Sequence, residues 1–167
     1  STKRNVVFIF FTCKNKCFSH SIGKIEKKTY LCKIRNHYIF NMRIGFDAKR
    51  AVQNFTGLGN YSRYLIEILY RFYPENEYFL YAPHTRSNPR FNHLLTACPS
   101  LSCISPKGLW KKCRSAWRSI GITRSLEKDH ITIYHGLSNE LPLNIRKATH
   151  TRSVVPIHDL IFLRYPQ

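Results

Sequence analysis

Carboxylates are scarce in this chain. Nine Asp and Glu stand against 27 Lys and Arg, for a formal net charge of +18. A balance this basic points toward anionic partners, either nucleic acid or the surface of an acidic membrane. Long apolar runs are also missing. The run Val6-Val7-Phe8-Ile9-Phe10-Phe11 follows Lys3-Arg4 and imitates a signal peptide, but no small-x-small cleavage site comes after it. It falls far short of the about 20 apolar residues that span a bilayer, and nothing from 42 to 167 reads as a span. The body from 42 onward holds an odd number of cysteines, three, without a framework spacing, which argues against disulfides and for reduced, cytosolic thiols. Cys98, Cys103 and Cys113 are expected to be packing residues. Cys13, Cys17, His20, Cys32 and His37 match none of the common zinc spacings, so no metal is expected. There is no internal repeat and no low-complexity segment.

Methionine occurs once, at Met42, and heads the most informative stretch, MRIGFDAKRAVQNFTGLG over 42–59. A short apolar strand, a glycine-bearing loop and an amphipathic helix follow one another, as at the start of an α/β protein. The reading is that the protein proper begins at Met42. Residues 1–41 hold nine Lys/Arg and one Glu, against eighteen and eight in 42–167, and show no sustained period of two or of 3.6. They are expected to be a mis-assigned or upstream-translated leader, disordered and without function. At the other end the apolar run Leu160-Ile161-Phe162-Leu163 continues nearly to Gln167 without a cap or polar tail. The expectation is a single domain over 42–167, cut inside a larger protein.

Within the body, strands alternate with helices. The pattern predicts strands over 42–47, 78–81, 101–104, 131–134 and 153–157. It predicts helices over 57–72, 91–96 and 109–120. In the first helix Leu58, Tyr61, Leu65, Ile68, Leu69 and Phe72 share one face, Thr56 is the expected cap, and Pro74 ends it. In the last, Trp110, Cys113, Trp117 and Ile120 form the apolar side, opposite Lys111, Lys112, Arg114 and Arg118. This alternation implies an α/β fold, a Rossmann-like doubly wound and mostly parallel sheet.

Parallel strands put their carboxyl ends on one edge, where such sheets bind ligands. That edge gathers Asp47, the loop Gly57-Leu58-Gly59-Asn60, His135, and His158-Asp159. The glycine loop lacks the third glycine of a full GxGxxG. It serves either a tight turn or the approach of backbone N–H groups to an anion at a helix N-terminus. Asp47 serves either a ligand or its own loop amides. His135 is as well read as a packed histidine as a reacting one. His158 at a strand end can hydrogen-bond a sugar hydroxyl or a phosphate, and Asp159 either orients a neighbour or caps the next turn.

At these positions MRIGFDAKRAV…TGLGNYSR, IYHGLSNELP and VVPIHDLIFLRYP resemble the N-terminal half of a family 4 retaining glycosyltransferase. The resemblance covers most of 42–167, in order and spacing, and none of 1–41. It implies one half of a GT-B architecture, two Rossmann-like domains facing a cleft. The N-terminal domain generally recognises the acceptor. Most of the nucleotide-sugar site, with a pair of glutamates, lies in a C-terminal domain absent from these residues. Residues 57–60 would lie near the donor diphosphate and the transferred sugar. His158 matches a histidine against the donor sugar that is important for transfer. His135 and the stretch Ser138-Asn139-Glu140 match a second motif on the same edge. The family needs no metal, and no DxD-like motif is present. Pro156 departs from the pattern, where a threonine-like residue is more usual, and would remove a donor from an interior strand.

The resemblance implies an enzyme that transfers a sugar from a nucleotide sugar to a sugar or lipid-linked hydroxyl acceptor, with retention. The isolated chain is expected to be inactive. The location it implies is cytoplasmic, at most peripheral to the inner face of the membrane. The alternative is a basic module without catalysis. Lys107, Lys111, Lys112, Arg114 and Arg118 beside Trp110 and Trp117 could bind single-stranded nucleic acid or an anionic membrane. Both Trp residues read as core, which disfavours nucleic acid.

Overall fold

The computed structural model describes residues 7–10, 41–84 and 88–158. Asp159, the apolar run 160–163 and the cysteine and histidine cluster of the leader lie outside the described residues.

Six strands form one all-parallel sheet in the order β1-β6-β5-β2-β3-β4. They are β1 (Val7–Phe10), β2 (Arg43–Asp47), β3 (Glu77–Tyr81), β4 (Ser102–Ile104), β5 (Ile133–His135) and β6 (Arg152–Ile157). The main helices are α1 (Lys49–Gln53), α2 (Gly57–Phe72), α3 (Pro89–Ala97), α4 (Arg114–Ala116) and α5 (Ile122–Lys128). The fold is Rossmann-like. After β1 at one edge, the chain enters the centre of the sheet with β2, moves outward through β3 and β4, then crosses back to lay β5 on the other side of β2. The strand order therefore reverses between β2 and β5. Val7–Phe10, inside the leader read from sequence as disordered, forms an edge strand in register with β6, Val7 opposite Val154.

Side-chain alternation along β2 and β3 divides the core. Ile44, Phe46, Tyr78 and Leu80 face the first three helices and pack with Ile66, Phe91 and Leu94. Phe79, Tyr81 and Tyr134 face α5 and pack with Trp117, Ile122 and Leu126. Helices on both faces leave the strand ends as the open edge.

The α2 helix follows its predicted bounds, but its buried stripe is Gly59, Ser62 and Ile66, one position round from the face expected. Two small residues allow the helix to sit close, and the Ser62 hydroxyl donates back to the Leu58 carbonyl at 2.8 Å. Phe72, placed on the apolar face from its spacing, is exposed beyond the last sheet contact. Tyr78 closes that end of the helix: its hydroxyl lies 2.8 Å from both the Leu69 and Tyr73 carbonyls, which share its one proton. Pro156 lies two residues past the last β5 pairing, His135 with Val154, so its missing N–H falls where that ladder has ended.

The helix predicted over 109–120 is a correction. A 3₁₀ turn, Gly108–Lys111, is followed by a non-helical Cys113. A continuous helical stretch then runs through α4, a π-turn at Trp117–Gly121 and α5. Of the expected apolar side only Trp117 is buried, while Trp110, Cys113 and Ile120 are exposed. Among the three described cysteines only Cys98 is a packing residue, because Cys103 sits on the edge strand β4.

Candidate functional site

The loop that leaves β2 begins with Asp47, whose side chain is 3% exposed. A buried carboxylate needs donors or a cation. Its Oδ1 accepts from the Lys49 backbone N–H at 3.2 Å. Its Oδ2 accepts from Arg118 Nε at 2.9 Å and Nη2 at 2.6 Å. Arg118 therefore does not belong to the solvated basic face predicted for it. The π-turn explains the difference: the Ile122 N–H bonds the Trp117 carbonyl, five residues back, so the wider turn changes which side chains point at the sheet. With Trp117 anchored in the core, the next residue reaches over the edge of the sheet to Asp47.

The loop after β5 supplies the other partners. Arg118 Nη1 pairs with Glu140, whose side chain is half-exposed, and Nη2 lies 3.4 Å from the Ser138 hydroxyl. Burial would lower the guanidinium's affinity for its proton, but the bonds to Asp47 and Glu140 outweigh it and hold the pKa above its ordinary value. The loop is tightly folded. A Cβ on Gly136 would come 2.2 Å from the Glu140 carbonyl oxygen, so only glycine fits, and Asn139 adopts a left-handed conformation (φ 59°). A cavity of about 350 Å³ opens here, lined by Asp47, Arg118, Tyr134, Asn139, Glu140 and Pro142. It lies at the carboxyl ends of β2 and β5, where the strand order reverses, the place at which open α/β sheets hold ligands.

A second group centres on His158 at the end of β6. Its backbone N–H donates to Asn139 Oδ1 at 3.3 Å, tying the β6 end to the β5 loop. Its Nε2 lies 3.2 Å from the Leu137 carbonyl. A carbonyl only accepts, so Nε2 carries the proton and the neutral ring keeps Nδ1 as its acceptor. The Tyr61 ring, from the first turn of α2, meets the imidazole edge-on with centroids 4.8 Å apart. His135 sits between strands with Phe46 against its ring. Its Nε2 is buried with no hydrogen-bond partner among the described residues. Burial, reinforced by the nearby His158, lowers its pKa to about 4, so it is neutral at physiological pH.

The glycine loop joins the same edge through Tyr61, but its residues have other occupations. Thr56 is not a side-chain cap: its hydroxyl donates to Asn54 Oδ1 at 2.7 Å, and that oxygen also accepts the Thr56 N–H. A Cβ on Gly59 would lie 2.0 Å from the Asn54 carbonyl oxygen, whereas one on Gly57 would meet nothing within 4 Å. Close packing of the chain on itself therefore accounts for Gly59, and only Gly57 leaves space open. Asn60 Oδ1 accepts from Arg63 Nη2 at 2.7 Å and Arg90 Nη1 at 3.1 Å. Arg63, 6% exposed, also donates to the Ala51 and Asn54 carbonyls, and Arg90 to the Phe55 carbonyl. Neither arginine has a carboxylate partner among the described residues. The N-terminus of α2, with its amides uncapped by a side chain, therefore carries two further positive charges.

Asp47, Asn139 and Glu140 thus meet around Arg118, and His158, Asn139 and His135 meet beside them. The Leu58 side chain is half-buried in α2, and its carbonyl is taken by the Ser62 hydroxyl within the helix. Sequence reasoning missed Arg118, Arg63 and Arg90. The signal for the first was available: an aspartate closing an interior strand demands a buried cation. No group of three or more potential metal ligands occurs among the described residues. No family model matches the chain, and no curated protein matches it.

Proposed function

We propose that residues 42–158 are the acceptor-side domain of a metal-independent, retaining GT-B glycosyltransferase of family 4. In that reading a sugar passes from a nucleoside diphosphate to a hydroxyl acceptor. The observation that carries it is His158: an imidazole at the carboxyl end of β6, fixed through Nε2 with Nδ1 left to accept, against the first turn of α2. The segments that resemble the family end β2, β5 and β6, and their polar residues converge beside the strand-order reversal. Such convergence supports a ligand site rather than three unrelated loops.

The chemistry divides among these residues as follows. As the glycosidic bond to the diphosphate breaks, negative charge collects on the leaving group. The α2 N-terminus, backed by Arg63 and Arg90, presents positive potential toward it. His158 Nδ1 accepts a hydrogen bond from a hydroxyl of the transferred sugar and fixes its orientation. The cavity between Asp47, Arg118 and Glu140 offers carboxylate acceptors and guanidinium donors to an acceptor's hydroxyls. The nucleotide itself would be held chiefly by a second domain outside these 167 residues.

The test is transfer from a panel of radiolabelled nucleotide sugars by the product of the complete reading frame. Misplacing a reacting group by about 1 Å can cost about 10²-fold in rate. His158→Ala should therefore lower kcat roughly 10²-fold or more with the fold intact. Absence of transfer from every donor, or full activity in the variant, would reject the reading.

A further inference from the structure

We propose that the surface formed by residues 108–121 and the tip of the β5 loop seats this chain on an anionic lipid bilayer. Four large apolar side chains stand out of the protein here. Leu109 is 86% and Leu143 84% exposed, and Trp110 and Ile120 are exposed as well. They belong to one surface. The Trp110 ring lies close enough to Gly121 that a Cβ there would come within 3.3 Å of it. The Leu143 N–H donates to the Ser119 carbonyl at 2.9 Å, and Asn144 Nδ2 to the Ile120 carbonyl at 2.8 Å, which docks the loop tip beside the helix. Lys107, Lys111, Lys112 and Arg114 stand exposed around them, and no Asp or Glu occurs from 105 to 126. Arg118 is turned inward to Asp47 and Glu140, so the outward charge comes from the other four.

Charge alone would suit any polyanion. The aliphatic side chains decide between them. Three of the four exposed apolar residues have no ring on which a base could stack, and Trp117, the second aromatic of this strip, is buried. Leu, Ile and Trp inserted at the headgroup boundary, ringed by lysines, match the composition of an interfacial membrane contact. Each basic residue near an anionic surface raises partitioning about fivefold. This inference rests on the surface alone and stands whether or not the chain belongs to a glycosyltransferase.

The experiment is co-sedimentation of the full chain with vesicles of phosphatidylcholine alone and of phosphatidylcholine with phosphatidylglycerol, reading Trp emission in parallel. Binding to the mixed vesicles, weakened by salt and accompanied by a blue shift, is expected. The shift should disappear in Trp110→Phe. Leu109→Glu with Leu143→Glu should weaken partitioning about tenfold or more. Both sites are exposed, so the far-UV spectrum should not change. Lys111→Gln with Lys112→Gln should weaken it about 25-fold. Four results would each overturn the proposal. The chain could fail to sediment with the mixed vesicles. The double glutamate variant could bind them like the parent, leaving charge alone as the cause. The chain could be a dimer that the double glutamate variant dissociates, so that a second copy covers the patch. A single-stranded oligonucleotide could bind tightly while the vesicles do not.

Discussion

Replacing Arg118 with methionine should cost about 3–4 kcal/mol of stability, most of it located at Asp47. Methionine keeps the unbranched apolar stem of the side chain and removes its polar head. The Asp47 carboxylate is 3% exposed, and its Oδ2 takes both of its side-chain hydrogen bonds from Arg118. Deleting one partner of a buried ion pair costs about 3–5 kcal/mol, because the other charge stays behind without compensation. The Glu140 arm adds little. That carboxylate is half-exposed, and exposed ion pairs contribute up to about 1 kcal/mol. Glu140→Ala alone should therefore cost under about 1 kcal/mol. Asp47→Asn in the Arg118→Met background removes the stranded charge and should recover about 2 kcal/mol, seen as coupling in a double-mutant cycle. Urea unfolding of five proteins at pH 7, the four of the cycle and Glu140→Ala, reads all of these values. An Arg118→Met protein within about 1 kcal/mol of the parent, or strict additivity in the cycle, would refute the assignment of Arg118 as the cation that holds the edge together.

Two further outcomes follow from contacts in the same region. Gly59→Ala drives a methyl into the Asn54 backbone and should destabilise by about 2–3 kcal/mol, whereas Gly57→Ala, with open space, should be neutral or up to about 1 kcal/mol stabilising; equal effects in thermal melts would contradict the packing described. His135 stays neutral in the folded chain down to about pH 4, while the unfolded chain takes up a proton near the ordinary value of 6.5. Its contribution is thus complete above pH 6.5 and is lost as pH falls toward 4, by at most about 3 kcal/mol. A stability profile whose slope over that window is the same in His135→Gln would show that another group is responsible.

What could be read from the chain depended on how local the cause was. The α2 bounds are set by neighbours, Thr56-Gly57 at one end and Pro74 beyond the other, and were legible. The strand order was legible only as a class, since alternation of strands and helices does not say on which side of β2 the fourth body strand lies. The strip 109–120 misled because a single π-turn and a non-helical Cys113 break the period on which face assignment rests. Arg118 was hidden for that reason. Thr56 has the composition of a cap, but Asn54, two residues earlier, competes for its hydroxyl. His158 and Asp47 were found from their places at strand ends, whereas the hydrogen bonds that give each its chemistry come from loops distant in sequence.

The Asp47–Arg118 pair has a consequence in time. Its two halves stand 71 residues apart in the chain. Asp47 sits in the β2–α2–β3 unit, contiguous from 43 to 81, whose contacts close over short spans. Arg118 and Glu140 arrive with β5, after a long excursion through α3 and β4. Short closures precede long ones, so the carboxylate should meet its cation after the rate-limiting barrier has been crossed. Loss of the pair would then show in the unfolding arm of a chevron and leave the folding arm nearly unchanged. The pair would act as a clasp on the open side of the sheet, prolonging the lifetime of the native chain without hastening its formation.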